Sequence, residues 1–302
     1  MKARTHFFEA QKIIFKKRGL VGALYLVNIL FAIALTIPIN ANLEALATTT
    51  LADEMIDGFF FDHFPDYWQQ FAPAYMASFR FILIFAGFYL LFNTFFTGGI
   101  LAILAREPAF DFRKFLHASA TYFGRNFRLF LISIPVLIIF AIAFAAGVVF
   151  PLTQLANTLD PDAANRVFIA AIAIAFLLLG LWNMLFDYAK IAIFSHDKDS
   201  AWKGFFAGAG FAFKNFPKAA LLYFMNFGLA CFFFVAYFMI ESVFSNDTLL
   251  QTYILLLIQQ VFILSRLWIK ISFFASQQHF YTYVPEPDTK SIRELFISSK
   301  IG

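Results

Sequence analysis

Six apolar stretches of about 20 residues constrain this chain more than any other feature, because a helix of that length spans roughly 30 Å of hydrocarbon. Of the 302 residues, 61% are hydrophobic and 14% are charged, and a water-soluble core could not bury so much apolar surface. The sequence predicts an all-α polytopic membrane protein with one transmembrane domain over residues 1–284. Its six transmembrane helices are predicted at about 19–38, 81–105, 129–150, 167–188, 219–240 and 249–268.

The charges are sorted along the chain, and this sorting predicts an orientation. Six bases lie in the first 18 residues, whereas residues 19–79 hold six acids and no Lys or Arg. With the N-terminus inside, 21 of the 23 bases fall inside and ten of the 19 acids fall outside. Lys and Arg are retained on the cytoplasmic side during insertion, so both termini are predicted to be cytoplasmic. The first apolar run is too long for a typical signal peptide and is interpreted as a retained helix.

Internal similarity suggests three pseudo-repeated helix pairs. Residues 190–195 match residues 270–275, and residues 125–127 match residues 214–216. Each unit would begin with a basic, aromatic segment of helical periodicity, followed by an ascending and a descending helix. We expect these amphipathic helices to lie in the headgroup plane or to dock on the bundle. They are predicted at residues 5–18, 112–127 and 200–216.

Two further segments stand apart from the spans. The outer loop, residues 41–79, is strongly aromatic, which favours a short helix on the outer leaflet. The alternative is an aromatic lid over an outward-facing cavity. In the predicted cytoplasmic tail, residues 285–302, Pro285 and Pro287 end the last helix, and a capping-box pattern from Ser291 to Glu294 predicts a short helix.

Polar residues inside the spans are the candidate site, because an ionised group at the bilayer centre costs about 2.5–3.5 kcal/mol. Asp187 is expected to pair with Lys190 on its own helix or with Arg266 on another helix, and the alternative is a place in a proton or solute pathway. The deeper amides are expected to join helices, with a substrate site as the alternative. The candidate intramembrane polar cluster comprises Asp187, Lys190, Arg266, Lys270, Asn93, Asn183, Asn226 and Gln260.

Several functional classes find no support in the sequence. It contains no Walker pattern, no Rossmann glycine pattern, no metal-spaced His pair and a single cysteine, Cys231, so we predict no enzyme, no cofactor and no metal site. The glycines at 98–99 and 204–210 are expected to mark close helix contacts instead of a phosphate cradle. Bases are dispersed at helix ends, which argues against nucleic acid and favours anionic lipid headgroups.

The segment from Asp187 to Lys218 carries a family resemblance. Asp-Tyr-Ala-Lys at 187–190, Ser-Ala-Trp-Lys-Gly-Phe at 200–205 and Phe-Lys-Asn-Phe-Pro-Lys at 213–218 resemble a broad group of bacterial six-helix membrane proteins. That group includes YciC-like proteins and the membrane domain attached to some glycerophosphodiester phosphodiesterases. The resemblance implies an uncharacterised inner-membrane protein, and it supplies no catalytic residues. The Pro-x-acid-x-x-base motif of mitochondrial carriers is missing after Pro38 and Pro135.

Two functions follow from these features. The first is a non-enzymatic scaffold or accessory subunit that binds lipids or a membrane protein partner, and it predicts a dry, well-packed interior. The second is a transporter or channel for a small or lipidic solute, and it predicts a polar cavity that exposes Asp187. The absence of charge at the deep positions favours the first.

Overall fold

The protein was analysed in a computed structural model that describes residues 3–46, 64–156, 161–195, 200–244 and 248–284. Side chains are described in these ranges apart from residues 38–46, 64–78, 155, 156, 161, 162 and 164. Every regular element there is helical. They are α1 (Ala3–Lys16), α2 (Arg18–Leu46), α3 (Phe64–Arg106), α4 (Phe112–Phe144), a π-helical turn (Ala145–Val149), α5 (Phe150–Ala156), α6 (Pro161–Ser195), α7 (Ala201–Lys214), α8 (Phe216–Glu241) and α9 (Leu249–Tyr283).

The prediction of an all-α fold with six membrane-crossing helices is confirmed. Six helices are long and apolar enough to span a bilayer, so the chain is a multi-pass membrane protein. The apolar segments are Arg18–Ile37, Phe79–Arg106, Phe112–Gln154, Asn165–Ser195, Phe216–Glu241 and Leu249–Tyr283.

Helices extend into the loop predicted at residues 41–79. The first span continues to Leu46, and the second begins at Phe64. Residues 47–63 lie outside the described residues, as does the tail from residue 285, and the side chains of residues 64–78, which carry most of the aromatic rings of the predicted cap, are not described. The helix or lid expected outside therefore stays a prediction.

The three segments that the sequence predicts to be amphipathic helices do not end alike. The segment at 112–127 runs without a break into the third span as α4, whose N-terminus Asp111 caps. The segments at 5–18 and 200–216 form separate helices, α1 and α7. The segments at 112–127 and 200–216 differ just after their matching Asn-Phe pairs. Phe127 is followed by Arg128, whereas Phe216 is followed by Pro217. Because proline removes a backbone donor, α8 starts anew there.

The chain divides into two compact units, residues 22–94 and the remainder. Within the smaller unit, α2 packs on α3 through Phe31, whose ring lies 5.9 Å from Tyr89 and 5.1 Å from Phe92. Within the larger unit, α6 packs on α7, and α9 packs on both α1 and α8. The expectation of a single transmembrane domain, and that of three repeated helix pairs, stay predictions.

Buried residues of the larger unit concentrate at one end of its helices. There α3, α6 and α9 finish while α4 and α8 begin, and we call this the basic end because Arg106, Arg113, Lys190, Lys218 and Lys270 lie there. On α6, residues 186–189 and 191–194 are buried, whereas from 165 to 183 only Ala171 is. The rest of each span presents its apolar side chains outward, as expected where lipid is the solvent.

Glycines allow the helices at the basic end to approach closely. A Cβ added at Gly98 would lie 2.6 Å from the Cβ of Tyr122, and one at Gly99 would lie 2.6 Å from the carbonyl oxygen of Phe115. At Gly208 on α7, an added Cβ would overlap the backbone of Ala189 on α6. The predicted role in close helix contact is confirmed for Gly98, Gly99, Gly204 and Gly208, whereas it is wrong for Gly210, where nothing lies within 4 Å of an added Cβ.

We expect Gly208→Ala to lower the stability of the protein by about 1–3 kcal/mol, because the methyl group must displace the backbone of α6. Gly210→Ala is a matched control, since nothing lies within 4 Å of its added Cβ and alanine favours a helix. The measurement is thermal unfolding of both variants in the same detergent. Equal midpoints would contradict the close contact.

Candidate functional site

Three of the four charged members of the predicted cluster, Asp187, Lys190 and Lys270, lie near one another at the basic end. Lys190 Nζ donates to Asp187 Oδ1 at 2.9 Å, and Asp187 is only 4% exposed. The ammonium group of Lys190 also lies 5.6 Å from the ring centre of Phe274 on α9. The charge of Lys270, on the same helix as Phe274, interacts with the charges of Lys190 and Asp187. The predicted intrahelical pair is thus confirmed. The alternative partner, Arg266, is exposed and forms no ion pair among the described residues.

Asn226 on α8 is fully buried and hydrogen-bonded in both directions. Its Oδ1 accepts from Ser272 Oγ at 2.6 Å, and its Nδ2 donates to Ser276 Oγ at 2.9 Å and to the Leu222 carbonyl oxygen. The amide therefore joins α8 to α9. This is the interhelical role expected for it, and its side chain has no access to solvent.

Gln11 extends this hydrogen-bonded group onto α1. Its Nε2 donates to Ser272 Oγ, and its Oε1 accepts from Trp268 Nε1 at 2.8 Å. The helix also buries Phe7, Ala10 and Ile14. Since a hydrophobic face and a specific amide both engage the bundle, α1 is docked on α9.

The remaining amides of the predicted cluster are Asn183, Gln260 and Asn93. Asn183 Nδ2 donates to Tyr223 Oη at 3.1 Å, which links α6 to α8 in an apolar groove of about 760 Å³. Gln260 lies ten residues before Lys270 on α9, roughly 15 Å along the axis. Asn93 is half-buried and belongs to the smaller unit.

Lys17, which the sequence did not single out, is the buried base of the site. Its Nζ donates to the carbonyl oxygens of Ile103 at 2.7 Å and Leu104 at 2.8 Å, in the last turn of α3. Such carbonyls lack partners within their own helix, so Lys17 supplies the missing donor. Burial lowers the pKa of Lys17, and nearby Glu107 opposes that shift.

His6 and His279 form a second contact that sequence reasoning missed. Their Nδ1 atoms lie 2.8 Å apart, so one ring must donate while the other accepts. Burial, with smaller contributions from the charges of His279 and Lys218, lowers the pKa of His6 to about 4. The two residues are 273 positions apart, and no local pattern could have paired them.

The contacts of Asp187, Asn226, Gln11 and Lys17 favour a structural role at the basic end over a role in binding a substrate. The amides and hydroxyls satisfy one another, and the Asp187 carboxylate is engaged by Lys190. Within the described residues, no three His, Cys, Asp or Glu side chains are arranged to hold a metal ion. Among the described residues, buried polar atoms of Ser119, Asn126, Trp182 and Tyr188 and the amide of Gln277 have no hydrogen-bond partner.

The chain matches no family model, no curated protein and no solved structure. The resemblance carried by residues 187–218 therefore stays a prediction. What can be inferred about function rests on the geometry of the chain itself.

Lys17→Met is expected to destabilise the protein by about 2–3 kcal/mol, because two carbonyl oxygens at the end of α3 lose a charged donor in a buried place. Lys16→Met, one residue away at an exposed position, is the control. Thermal unfolding in detergent compares them. If Lys16→Met proved equally destabilising, the capping role of Lys17 would be refuted.

Proposed function

We propose that this chain is a non-enzymatic scaffold or accessory subunit of the bacterial inner membrane, which binds anionic lipids or a membrane protein partner at its basic end. The observation that carries the proposal is that two buried members of the candidate polar cluster, Asp187 and Asn226, are engaged by neighbours within the protein. Asn226 is 0% exposed and Asp187 is 4% exposed, and each is hydrogen-bonded within the protein. A transported solute needs such groups to face a cavity.

The distribution of charge supports a cytoplasmic position for the basic end. Arg106, Arg113, Lys190 and Lys218 lie there, whereas Arg80 and Arg166 are the bases near the opposite ends of their spans. Anionic lipids on the cytoplasmic leaflet attract such bases with about 1 kcal/mol each. Both termini would then lie in the cytoplasm, as the sorting of charge in the sequence also predicts.

A transporter of lipidic solutes is the second candidate, and the groove between α6 and α8 is the observation that favours it. Phe176, Leu177 and Phe227 line it together with Asn183 and Tyr223. Its lining is mainly apolar, so an acyl chain fits it better than an ion. The groove lacks a charged side chain among its lining residues, which leaves the scaffold as the better-supported function.

The orientation can be tested by labelling single cysteines with an impermeant maleimide in a Cys231→Ser background. Val243→Cys, just after α8, should react in intact cells, whereas Lys214→Cys on α7 should react only after the membrane is opened. Both positions are exposed, so accessibility depends on the side of the membrane. The reverse pattern would place the basic end outside.

Function can be tested with the full chain reconstituted in liposomes. We expect proton flux, followed with an internal pH dye, and scrambling of a fluorescent lipid to stay at the level of protein-free vesicles. Mass spectrometry of lipids that copurify should show enrichment of anionic over zwitterionic species relative to the source membrane.

The scaffold proposal fails if the wild-type protein supports flux that Asp187→Asn abolishes. Because this substitution keeps the shape of the side chain and removes its charge, a loss of flux would identify Asp187 as part of a pathway. Scrambling that persists in Asp187→Asn but is lost in Asn183→Leu would instead favour the groove and the second candidate.

A further inference from the structure

A cavity of about 390 Å³ opens between the end of α3 and the beginning of α4, at the basic end. One side is lined by Arg106, the last residue of α3, and by Glu107, which follows it. Arg113, Lys114 and His117 come from the first two turns of α4. The floor includes Ile103, whose carbonyl oxygen is engaged by Lys17. Because Lys17 fixes the end of α3, one wall of the cavity is rigidly held.

The two acids in and beside this cavity are already engaged. Lys114 Nζ pairs with Glu107 Oε2 at 2.6 Å. Asp111 caps α4, where one carboxylate oxygen accepts from the backbone N–H groups of Arg113 at 2.9 Å and Lys114 at 3.1 Å. Neither carboxylate forms an ion pair with an arginine of the cavity among the described residues.

Within the part of the chain that the structure describes, the guanidinium groups of Arg106 and Arg113 therefore form no ion pair with a carboxylate. The Arg106 guanidinium lies 4.8 Å from the ring centre of Phe194, which holds it over the face of the ring. The Arg113 side chain is exposed and has no ion-pair partner within the described ranges. A planar guanidinium matches the oxygens of a phosphate, to which it can donate two parallel hydrogen bonds.

Exposed apolar side chains occur on the same turns of α4 as Arg113, outside the lining of the cavity. Phe112 is 56% exposed and Leu116 is 37% exposed, on the same two turns of α4 that carry Arg113 and Lys114. Cationic and apolar side chains exposed side by side are typical of the boundary between headgroups and acyl chains. A ligand here would meet bases with its polar part and apolar surface with its chains.

We propose that this cavity binds the phosphate of an anionic phospholipid, with Arg113 and Arg106 contacting the phosphate and Phe112 and Leu116 contacting the acyl chains. The site rests on the proposed lipid-binding function and gives that function a location. A freely dissolved phosphate shares the chemistry of the polar contact. Dissolved phosphate, however, has no acyl chain to contact Phe112 and Leu116, so the phospholipid is the ligand that fits both the bases and the apolar side chains.

The test is a titration of the detergent-solubilised full chain followed by native mass spectrometry. The probes are short-chain phosphatidylglycerol, short-chain phosphatidylcholine and inorganic phosphate. Arg113→Gln removes one guanidinium from the cavity. Lys203→Gln removes one charge from an exposed position of α7 and is the matched control.

Wild-type protein should bind phosphatidylglycerol more tightly than phosphatidylcholine. Arg113→Gln should weaken phosphatidylglycerol binding at least about tenfold, because a charge-assisted hydrogen bond is lost. Lys203→Gln should weaken it no more than about fivefold, the general effect of one base near an anionic surface. Arg113→Lys should fall between, since it keeps the charge and loses the paired donors.

Equal weakening by Arg113→Gln and Lys203→Gln would overturn the site while leaving general lipid binding intact. Equal binding of both lipids by the wild-type protein would instead refute the lipid-binding part of the proposed function. Binding of inorganic phosphate that requires Arg113, with no lipid preference at that position, would overturn the assignment to a lipid. Unchanged thermal unfolding of each variant ensures that binding is compared between folded proteins.

Discussion

The ammonium group of Lys17 secures the part of the protein on which the other features depend. It lies at the corner between α1 and α2, and it donates to two carbonyl oxygens in the last turn of α3. At the edge of a bilayer these carbonyls would otherwise need water that close packing excludes. Because Lys17 donates hydrogen bonds to these carbonyl oxygens, α3 can end where they are buried. The cavity formed with α4 depends on that fixed end.

Around this point the protein is held together by polar contacts and close backbone approach more than by hydrophobic attraction between spans. Lipid chains are as apolar as leucine, so burying leucine against leucine gains little in a membrane. Small residues and amides gain more, and both occur at the basic end: Gly208 packs on α6, while Asn226 and Gln11 join three helices. Elsewhere the spans present apolar side chains outward, where lipid or another membrane protein can cover them.

The sequence predicts a structural feature well when the residues that form it are close together in the chain, and poorly when they are far apart. The six spans and the Asp187–Lys190 pair are encoded within about one helix each, by apolar length and by a three-residue spacing. Helix ends were less predictable. The segment at residues 112–127 was expected to be separate, yet it continues into its span because Arg128 stands where the segment at residues 200–216 is followed by Pro217. The pairing of His6 with His279 and the docking of Gln11 against Ser272 join opposite ends of the chain, and no spacing rule reaches that far.

By itself, the sequence determined the class of protein, the number of spans and the residues that could hold charge in or near a membrane, because these depend on composition and periodicity along single helices. Tertiary structure decided which polar groups hydrogen-bond to one another across helices. Asn226, which drew attention as a candidate, is satisfied by Ser272 and Ser276 of α9, whereas the exposed Arg113 forms no ion pair within the described ranges. The physical reason is that hydrogen-bond satisfaction is a property of contacts between helices, and those contacts exist only once the helices have packed.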